Sequence, residues 1–357
     1  MDARLLRRRR AAAQLLHRPG PATAAAIVQR LLAVQAQDPR AARLALRARG
    51  EGLTAAGVDA ALTHERSLVV AWLARGTLNL TGREDYPWLL GLTAPARLAT
   101  NRRRLGQEGV PPGDADRAVD VIARALADEG PLTRPELVLR IAAHGIRTEG
   151  QATPHLLMLA ALRGVAVLGP VDGGTQAFAL ARDWLGSEPS ARLAGADRDT
   201  ALAELARRYL AGHGPATAAD LATWAGLGVA DARTGLHAVA GELVELGGGL
   251  VDLAARDEAP DRIPPRLLAA FDPYLLGWKD RSFAVPAAHA RRVHPGGGML
   301  RATATVDGLA AGTWSARRRG GRLAVDLDPF GAIGARDAAA LRAEAADVAR
   351  FEGLAAV

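Results

Sequence analysis

Gly20-Pro21-Ala22-Thr23, Gly130-Pro131-Leu132-Thr133 and Gly214-Pro215-Ala216-Thr217 are the three stretches of sequence that decide the fold. Each stands directly before a run of apolar residues at helical spacing. In each, Gly-Pro favours a turn, and the threonine supplies an N-cap oxygen for the helix that follows. One such match would be weak, whereas three in one chain predict a single supersecondary unit that is used three times.

The second copy shows what this unit contains. The helix that begins near Arg134 is followed by a second helix at residues 151–163 and by two strands, at 165–168 and 176–180. Helix, turn, helix and two-stranded hairpin make up the winged helix-turn-helix, whose second helix commonly enters a DNA groove. The second copy therefore predicts a winged unit.

The third copy repeats this order. Helices are predicted at residues 218–225 and 229–240, and strands at 242–246 and 250–253, across a turn of three glycines. The first copy is more elaborate, because its hairpin begins only near Leu68. We therefore expect three tandem units of one type.

The joint between the two helices of the first copy is Val34-Gln35-Ala36-Gln37-Asp38-Pro39-Arg40. A helix is predicted from residue 24 to 34, and Asp38 and Pro39 suit the N-cap and first position of the next helix. Residues two apart point to the same side of an extended segment. If the joint is extended, Gln35 and Gln37 project together and could hold a ligand or a water. The plain alternative is that both side chains only face solvent.

The sequence changes character from Ile263 onward. Strands are predicted at residues 298–305, 309–315 and 322–327, and a helix at 337–351 closes the chain. The predicted fold class is therefore α+β: three tandem winged helix-turn-helix units followed by a small β-rich C-terminal module of meander or barrel type. The predicted boundaries are 1–110, 111–198 (the second unit with a linker at 183–198), 199–262 and 263–357.

Composition narrows the class of protein. The 357 residues include no cysteine, which excludes disulfides and thiolate metal sites. The formal net charge is +7, and Lys279 is the only lysine among the cations. Arginine suits phosphate, but an arginine-rich chain is also typical of a GC-rich genome, so the charge favours a polyanionic partner only modestly. With no signal-peptide core and no membrane-length apolar run, we expect a soluble cytoplasmic protein.

Common catalytic patterns are missing from the sequence. There is no phosphate-binding loop, no His-Glu-x-x-His and no Gly-x-Ser-x-Gly, and we expect neither a cofactor nor a metal. Asp272, Asp280 and Asp326 could each act as a base, but no sequence pattern pairs them, and structural roles are the more usual explanation. The polar pair without a structural explanation is Gln35 and Gln37.

Four blocks resemble the AlkZ-type DNA glycosylases. Residues 32–42, Leu-Ala-Val-Gln-Ala-Gln-Asp-Pro-Arg-Ala-Ala, are similar to the catalytic motif of that family. Arg75-Gly76-Thr77-Leu78, the segment 271–281 and the segment 308–314 resemble three further blocks, in the same order along the chain. The similarity spans nearly the whole sequence, and its first and third blocks are the most specific.

The resemblance implies both a fold and an activity. Members of the family are bacterial enzymes with three tandem winged-helix units around a DNA channel. They are monofunctional glycosylases that hydrolyse the N-glycosidic bond of alkylated purines, including N7-alkylguanine, bulky adducts and, in some members, interstrand crosslinks. Gln35-Ala36-Gln37 matches the Gln-apolar-Gln motif of the AlkZ branch, which is associated with self-resistance to genotoxic natural products. The YcaQ branch has Gln-apolar-Asp instead.

Residue roles follow from the matched blocks. Gln35 and Gln37 are the expected catalytic residues, and the expected DNA-binding residues are Arg75, Asn79, Lys279, Arg281 and Arg301. The family often has histidine where this chain has Asn79, which raises the alternative of a catalytically weakened relative that only binds damaged DNA. The expected partner is double-stranded DNA carrying alkylated bases, bound by a monomer without a membrane. A winged-helix transcription regulator without catalysis is the other function that the sequence leaves open.

Overall fold

The computed structural model describes residues 1–17, 20–172, 174–187, 189 and 196–357. Its helices are α1 (Ala3–Ala13), α2 (Ala24–Leu31), α3 (Pro39–Arg47), α4 (Ala55–Thr63), α5 (Tyr86–Gln107), α6 (Pro112–Glu129), α7 (Arg134–Ala143), α8 (Ala152–Leu162), α9 (Ala181–Leu185), α10 (Ala196–His213), α11 (Ala218–Ala225), α12 (Val229–Ala238), α13 (Pro273–Leu276), α14 (Ala290–Val293) and α15 (Ala335–Phe351). Its strands are β1 (Ala33–Gln35), β2 (Leu68–Leu73), β3 (Thr77–Gly82), β4 (Ala166–Asp172), β5 (Thr175–Leu180), β6 (Leu243–Glu245), β7 (Val251–Leu253), β8 (Arg266–Leu268), β9 (Thr303–Val306), β10 (Leu309–Arg319), β11 (Arg322–Pro329) and β12 (Ala355–Ala356). The fold is mixed α+β, as predicted.

The chain divides into two compact units. The first comprises residues 1–58, 203–224 and 228–357, and the second comprises 59–202 and 225–227. The four predicted domains do not coincide with these units, and their boundaries stay a prediction; the linker predicted at 183–198 lies partly outside the described residues. None of the described helices combines the length and apolar composition of a membrane span.

Two helices followed by a two-stranded hairpin occur three times along the chain. The pairs α2–α3, α7–α8 and α11–α12 each precede a hairpin, namely β2–β3, β4–β5 and β6–β7. In the first copy β1 lies between the two helices, and α4 lies between α3 and the hairpin. The threonines of the repeat cap the first helix as predicted: Thr23 accepts from the Ala26 N–H at 3.2 Å, Thr133 forms a capping box with Glu136, and Thr217 accepts from the Asp220 N–H at 3.1 Å.

The second compact unit contains an antiparallel sheet with the strand order β3-β2-β4-β5. All six residues of β2 are buried, which explains its continuous apolar sequence. Trp72 of β2 stacks on Phe178 of β5, with ring centroids 6.3 Å apart. The sheet is thereby covered by its own aromatic side chains and by the helices of the same unit.

The first compact unit contains a five-stranded sheet with the order β12-β11-β10-β9-β8. Its two tight turns lie at Asp307-Gly308 and Gly320-Gly321. Asp307 and Gly308 have φ of 49° and 74°, and Gly320 and Gly321 have φ of 54° and 74°. Two consecutive positive φ angles match the twist of the flanking strands, which is why Asp-Gly and Gly-Gly occupy these positions.

Helix α3 is held at its C-terminal side by charges buried in the first unit. Arg49, just after the helix, is 1% exposed and donates two hydrogen bonds, of 3.0 and 2.7 Å, to Asp272, which is 0% exposed. Arg47 donates to Glu344 at 3.0 Å and to Asp347 at 2.8 Å, both on α15. Buried charges are tolerated only when they are paired, so these contacts fix α3 against the C-terminal part of the unit.

Candidate active site

The segment before the two glutamines has a strained backbone. Helix α2 ends at Leu31, three residues earlier than predicted, because Leu32 adopts φ 68° and ψ −46° and cannot continue the helix. This conformation is close to the rare γ-turn with positive φ, which costs free energy for a residue with a β-carbon. Leu32 is fully buried. The chain is thereby redirected into β1 immediately before Gln35.

The side chains of Gln35 and Gln37 meet. The joint is extended, Ala36 between them is buried, and the Nε2 group of Gln35 donates a hydrogen bond of 3.0 Å to the Oε1 atom of Gln37. Gln35 is half-buried and Gln37 is exposed. The two amides therefore project to one side of the chain, as expected for an extended segment, and hold each other's orientation.

Asp38 completes the corner as a helix cap. Its Oδ1 atom accepts from the Ala41 N–H at 3.0 Å, and Pro39 occupies the first position of α3. Both assignments agree with the sequence-based expectation. The only carboxylate of the Gln-Ala-Gln-Asp stretch is thus engaged with the helix backbone, so the corner presents two neutral amides.

The chemistry available to the pair follows from its hydrogen-bond capacity. After the bond between the two side chains, the Oε1 atom of Gln35 can still accept, and the Nε2 atom of Gln37 can still donate two bonds. The pair can therefore orient a water through an acceptor while donating to a phosphate or sugar oxygen. A carboxamide does not take up an additional proton at neutral pH, so the corner can position reactants but cannot act as a strong base.

Two expected DNA-binding residues lie on the β2–β3 hairpin of the second unit. Arg75 is half-buried in its turn. Asn79 is 7% exposed, and its Nδ2 group donates to the Thr77 carbonyl at 2.7 Å and to the Thr77 hydroxyl at 3.2 Å. Asn79 thus stabilises the hairpin, and its role towards DNA stays a prediction.

The other expected DNA-binding residues lie in the C-terminal part of the first unit. Lys279 is exposed, and its backbone N–H donates to Asp220 at 3.0 Å. Arg281 is half-buried and uses its Nε atom in a bond of 2.6 Å to the Leu275 carbonyl. Arg301 is exposed and donates to the Arg292 carbonyl at 3.3 Å. Lys279 and Arg301 present charge at the surface, whereas Arg281 is partly committed to the backbone.

The carboxylates considered as bases have structural partners. Asp272 binds Arg49 in the core, Asp280 accepts from Ser282, and Asp326 pairs with Arg317 at 2.8 Å. Hydrogen bonds from Ser282 lower the pKa of Asp280, which makes that group a weaker base. Among the described residues no group of three or more His, Cys, Asp or Glu side chains could hold a metal ion.

Two features of the first unit were given no functional role on the basis of the sequence. One is the strained backbone at Leu32, which a leucine in the sequence does not indicate. The other is the tip of the β10–β11 hairpin, where Arg319 faces Arg322 across Gly320-Gly321 and all four residues are exposed. Its signal was visible as two arginine-bearing runs on either side of a two-glycine turn, and such a tip is suited to phosphate.

Comparison with known proteins identifies a family and a solved structure with a similar fold. Residues 28–351 match the family described as DNA glycosylase AlkZ-like. The fold is similar to that of the Streptomyces sahachiroi DNA glycosylase AlkZ, with a TM-score of 0.78 and 25% sequence identity, over 100% of this chain and 98% of that one. A comparison with curated proteins gave no match.

Proposed function

The chain belongs to the DNA glycosylase AlkZ-like family, and we propose that it hydrolyses the N-glycosidic bond of alkylated purines in duplex DNA through Gln35 and Gln37. The family membership makes the chain a DNA glycosylase and removes the alternative of a regulator without catalysis. The observation that carries the finer proposal is the hydrogen-bonded pair of neutral amides at the corner before α3.

A neutral pair suits a substrate that already carries charge. Alkylation at N7 or N3 of a purine makes the base cationic, so the electrons of the C1′–N bond neutralise the base as it leaves. The sugar becomes oxocarbenium-like, the oxygen of water bonds to C1′, and the proton of that water passes to solvent. The protein must then mainly orient the water and the sugar, which are tasks of positioning and electrostatics.

Each glutamine has its own part in this proposal. The Oε1 atom of half-buried Gln35 accepts a hydrogen from the attacking water, and the exposed Gln37 donates to the sugar-phosphate backbone through Nε2. The hydrogen bond between the two side chains fixes the orientation of the acceptor on Gln35 relative to the donor on Gln37. The strained Leu32 and the capped start of α3 fix the backbone on both sides of the pair.

The composition of the corner also supports a monofunctional enzyme. A glycosylase that cleaves the DNA strand as well needs an amine to form an imine with C1′, and lysine is the usual side chain for such adducts. Lys279 is the only lysine of the sequence, and the corner carries amides, which form no imine. We therefore expect an abasic site as the product, with the strand intact.

Double-stranded DNA is bound in this proposal by three tandem winged-helix units and the C-terminal module. The threefold order of two helices and a hairpin supports the winged units. Arg75, Asn79, Lys279, Arg281 and Arg301 are the contacts proposed from the family blocks. The arginine-bearing tip of the β10–β11 hairpin adds Arg319 and Arg322 to them.

The test is single-turnover release of N7-alkylguanine from a duplex by Gln35→Ala and Gln37→Ala. Loss of one positioned hydrogen-bonding group at the transition state costs about 10²- to 10³-fold in rate. We expect each variant to lose roughly that much at the wild-type melting temperature. Gln35→Ala should keep the wild-type DNA affinity, and Gln37→Ala, which loses one contact to the sugar-phosphate backbone, should bind DNA only slightly more weakly. Alkaline cleavage at the abasic sites measures the product.

Asp38→Asn is the matched control, because asparagine caps a helix nearly as well as aspartate. It should excise at close to the wild-type rate. If both glutamine variants excise normally and only Asp38→Asn is inactive, Asp38 is the base and the assignment is wrong. Excision from duplexes with bulky adducts and interstrand crosslinks then defines the range of lesions. If the wild-type protein releases the alkylated base, it is not a catalytically weakened relative that only binds damaged DNA because of Asn79.

A further inference from the structure

The second compact unit contains a cavity of about 370 Å³ that has no part in the proposed chemistry. It lies among the β2–β3 turn, α5 and α8, and none of the described residues that line it is acidic. Four of its ten lining residues are arginines, namely Arg75, Arg97, Arg103 and Arg104.

The wall of the cavity consists of one face of α5 and of the β2–β3 turn, which approaches that face closely. On α5, positions 97, 101 and 104 recur at helical spacing, so their side chains share one face. Gly76 has φ of 82°, and a β-carbon there would lie 3.3 Å from side-chain atoms of Arg97 and Met158. The turn therefore packs directly on the side chain of Arg97, which narrows that end of the cavity.

The arginines around this cavity are only partly neutralised. Arg104 is paired with Glu108 at 2.7 Å, and Arg97 donates to the Gly226 carbonyl at 3.4 Å. The Nε atom of Arg97 is buried without a hydrogen-bond partner. Arg103 is exposed and has no ion pair with any described residue. Within the part of the chain that the structure describes, Arg97 and Arg103 have no carboxylate partner, and their charges favour an anionic ligand in the cavity.

His155 contributes a polar edge without adding charge. Its Nδ1 atom lies 2.7 Å from the Oδ1 atom of Asn101, whose Nδ2 group donates to the His155 carbonyl at 3.0 Å. Because the Oδ1 atom can only accept, Nδ1 carries the proton. Burial, and then the charge of Arg104, lowers the pKa of His155. The positive potential of the cavity therefore comes from its arginines.

We infer that this cavity of the second unit binds a phosphodiester group of DNA. Of the DNA-binding residues proposed from the family blocks, only Arg75 lines it. Guanidinium groups are suited to phosphate through paired N–H donors, and the volume admits a phosphate with part of its sugar. The inference rests on the proposed function only in taking DNA as the ligand. A free phosphate or a mononucleotide offers the same chemistry from another source.

The experiment is the salt dependence of binding to an undamaged duplex, measured by fluorescence anisotropy for the wild type and for Arg103→Gln/Arg104→Gln. Each phosphate contact that is lost lowers the magnitude of the slope of log Kobs against log salt by about 0.9. We expect the double variant to lower it by at least that amount. The matched control is Arg117→Gln/Arg124→Gln, which also removes two positive charges but from exposed positions of α6 that do not line the cavity, and it should keep the wild-type slope.

Equal slopes for the wild type and the cavity variant overturn the inference, as does an equal decrease in the α6 control, which would reflect only the overall charge. A second arm uses inorganic phosphate and dAMP. If either raises the melting temperature of the wild type but not of the cavity variant while the slopes stay equal, the cavity binds a free anion and not DNA. Because the duplex is undamaged, a failure of the proposed base excision leaves this result readable.

Discussion

The two ends of helix α3 use polar side chains in opposite ways. Before its start, Gln35 and Gln37 are neutral, partly exposed and bonded to each other. After its end, Arg49 and Asp272 are charged, fully buried and bonded to each other. The contrast teaches that this protein places charge where the chain must be held in one position. It leaves neutral donors and acceptors at the corner, where, in the proposed function, the cationic base brings the charge itself.

The largest effect that tests this contrast should come from Asp272→Ala. The substitution leaves the guanidinium of Arg49 buried without a counter-charge, and breaking such a pair costs about 3–5 kcal/mol. We expect that decrease in the free energy of unfolding, measured with denaturant. The double variant Arg49→Met/Asp272→Leu should recover much of it, because neither charge then remains buried. A loss below about 1 kcal/mol for Asp272→Ala would break the comparison.

Asp307 is an intermediate case, because its side chain is 16% exposed and binds Arg8 at 3.0 Å. Burial raises its pKa, but hydrogen bonds from Arg8 and the Ile263 N–H outweigh burial and leave the pKa below the ordinary 3.8. A group with a lowered folded-state pKa stabilises the protein above its unfolded-state pKa, and that stability is lost as the pH falls through the folded value.

Asp307→Asn should therefore cost about 1.5–3 kcal/mol at pH 7. The difference from the wild type should shrink as the pH falls below about 4. Asparagine tolerates the positive φ of this turn, so the backbone should not change. Unfolding curves at pH 7 and near pH 3 measure the effect, and a difference that stays the same at both pH values would exclude the ionised carboxylate as its source.

The smallest effect should come from Asp38, which caps the start of helix α3. Asp38→Ala removes the acceptor for the Ala41 N–H and should cost about 1 kcal/mol, whereas Asp38→Asn should cost only a few tenths. Thermal unfolding of the two variants side by side measures this. If Asp38→Asn destabilises as much as Asp38→Ala, the carboxylate charge matters beyond capping, and the corner is less neutral than we infer.

Local features of the fold could be predicted from the sequence because they depend on neighbouring residues. The threonine caps, the start of α3 at Pro39 and the turns at Asp307-Gly308 and Gly320-Gly321 each follow from a few adjacent side chains. The common side of Gln35 and Gln37 was predictable for the same reason. The end of α2 was not, because leucine rarely adopts a positive φ and nothing in the adjacent sequence distinguishes the fully buried Leu32 from its neighbours.

Long-range pairing could not be predicted from spacing. The run Arg7 to Arg10 consists of four consecutive arginines, yet Arg10 is only 5% exposed. Its Nε atom donates to the Pro215 carbonyl at 2.9 Å, and its guanidinium lies 4.8 Å from the ring centroid of Trp278. These partners are more than 200 positions away, and no local pattern connects them to α1.

The bonds from Arg47 to α15 also have a consequence for synthesis of the chain. Glu344 and Asp347 follow Arg47 by 297 and 300 residues. At about 5–20 residues per second, a ribosome needs roughly 15–60 s to add that length. During this interval Arg47 has to remain hydrated, and the Gln-Ala-Gln corner lacks one of the anchors of the helix that follows it. A nascent chain therefore completes the support of its corner only after α15 has been synthesised, and a transcript that stops short of α15 would encode the motif without that support.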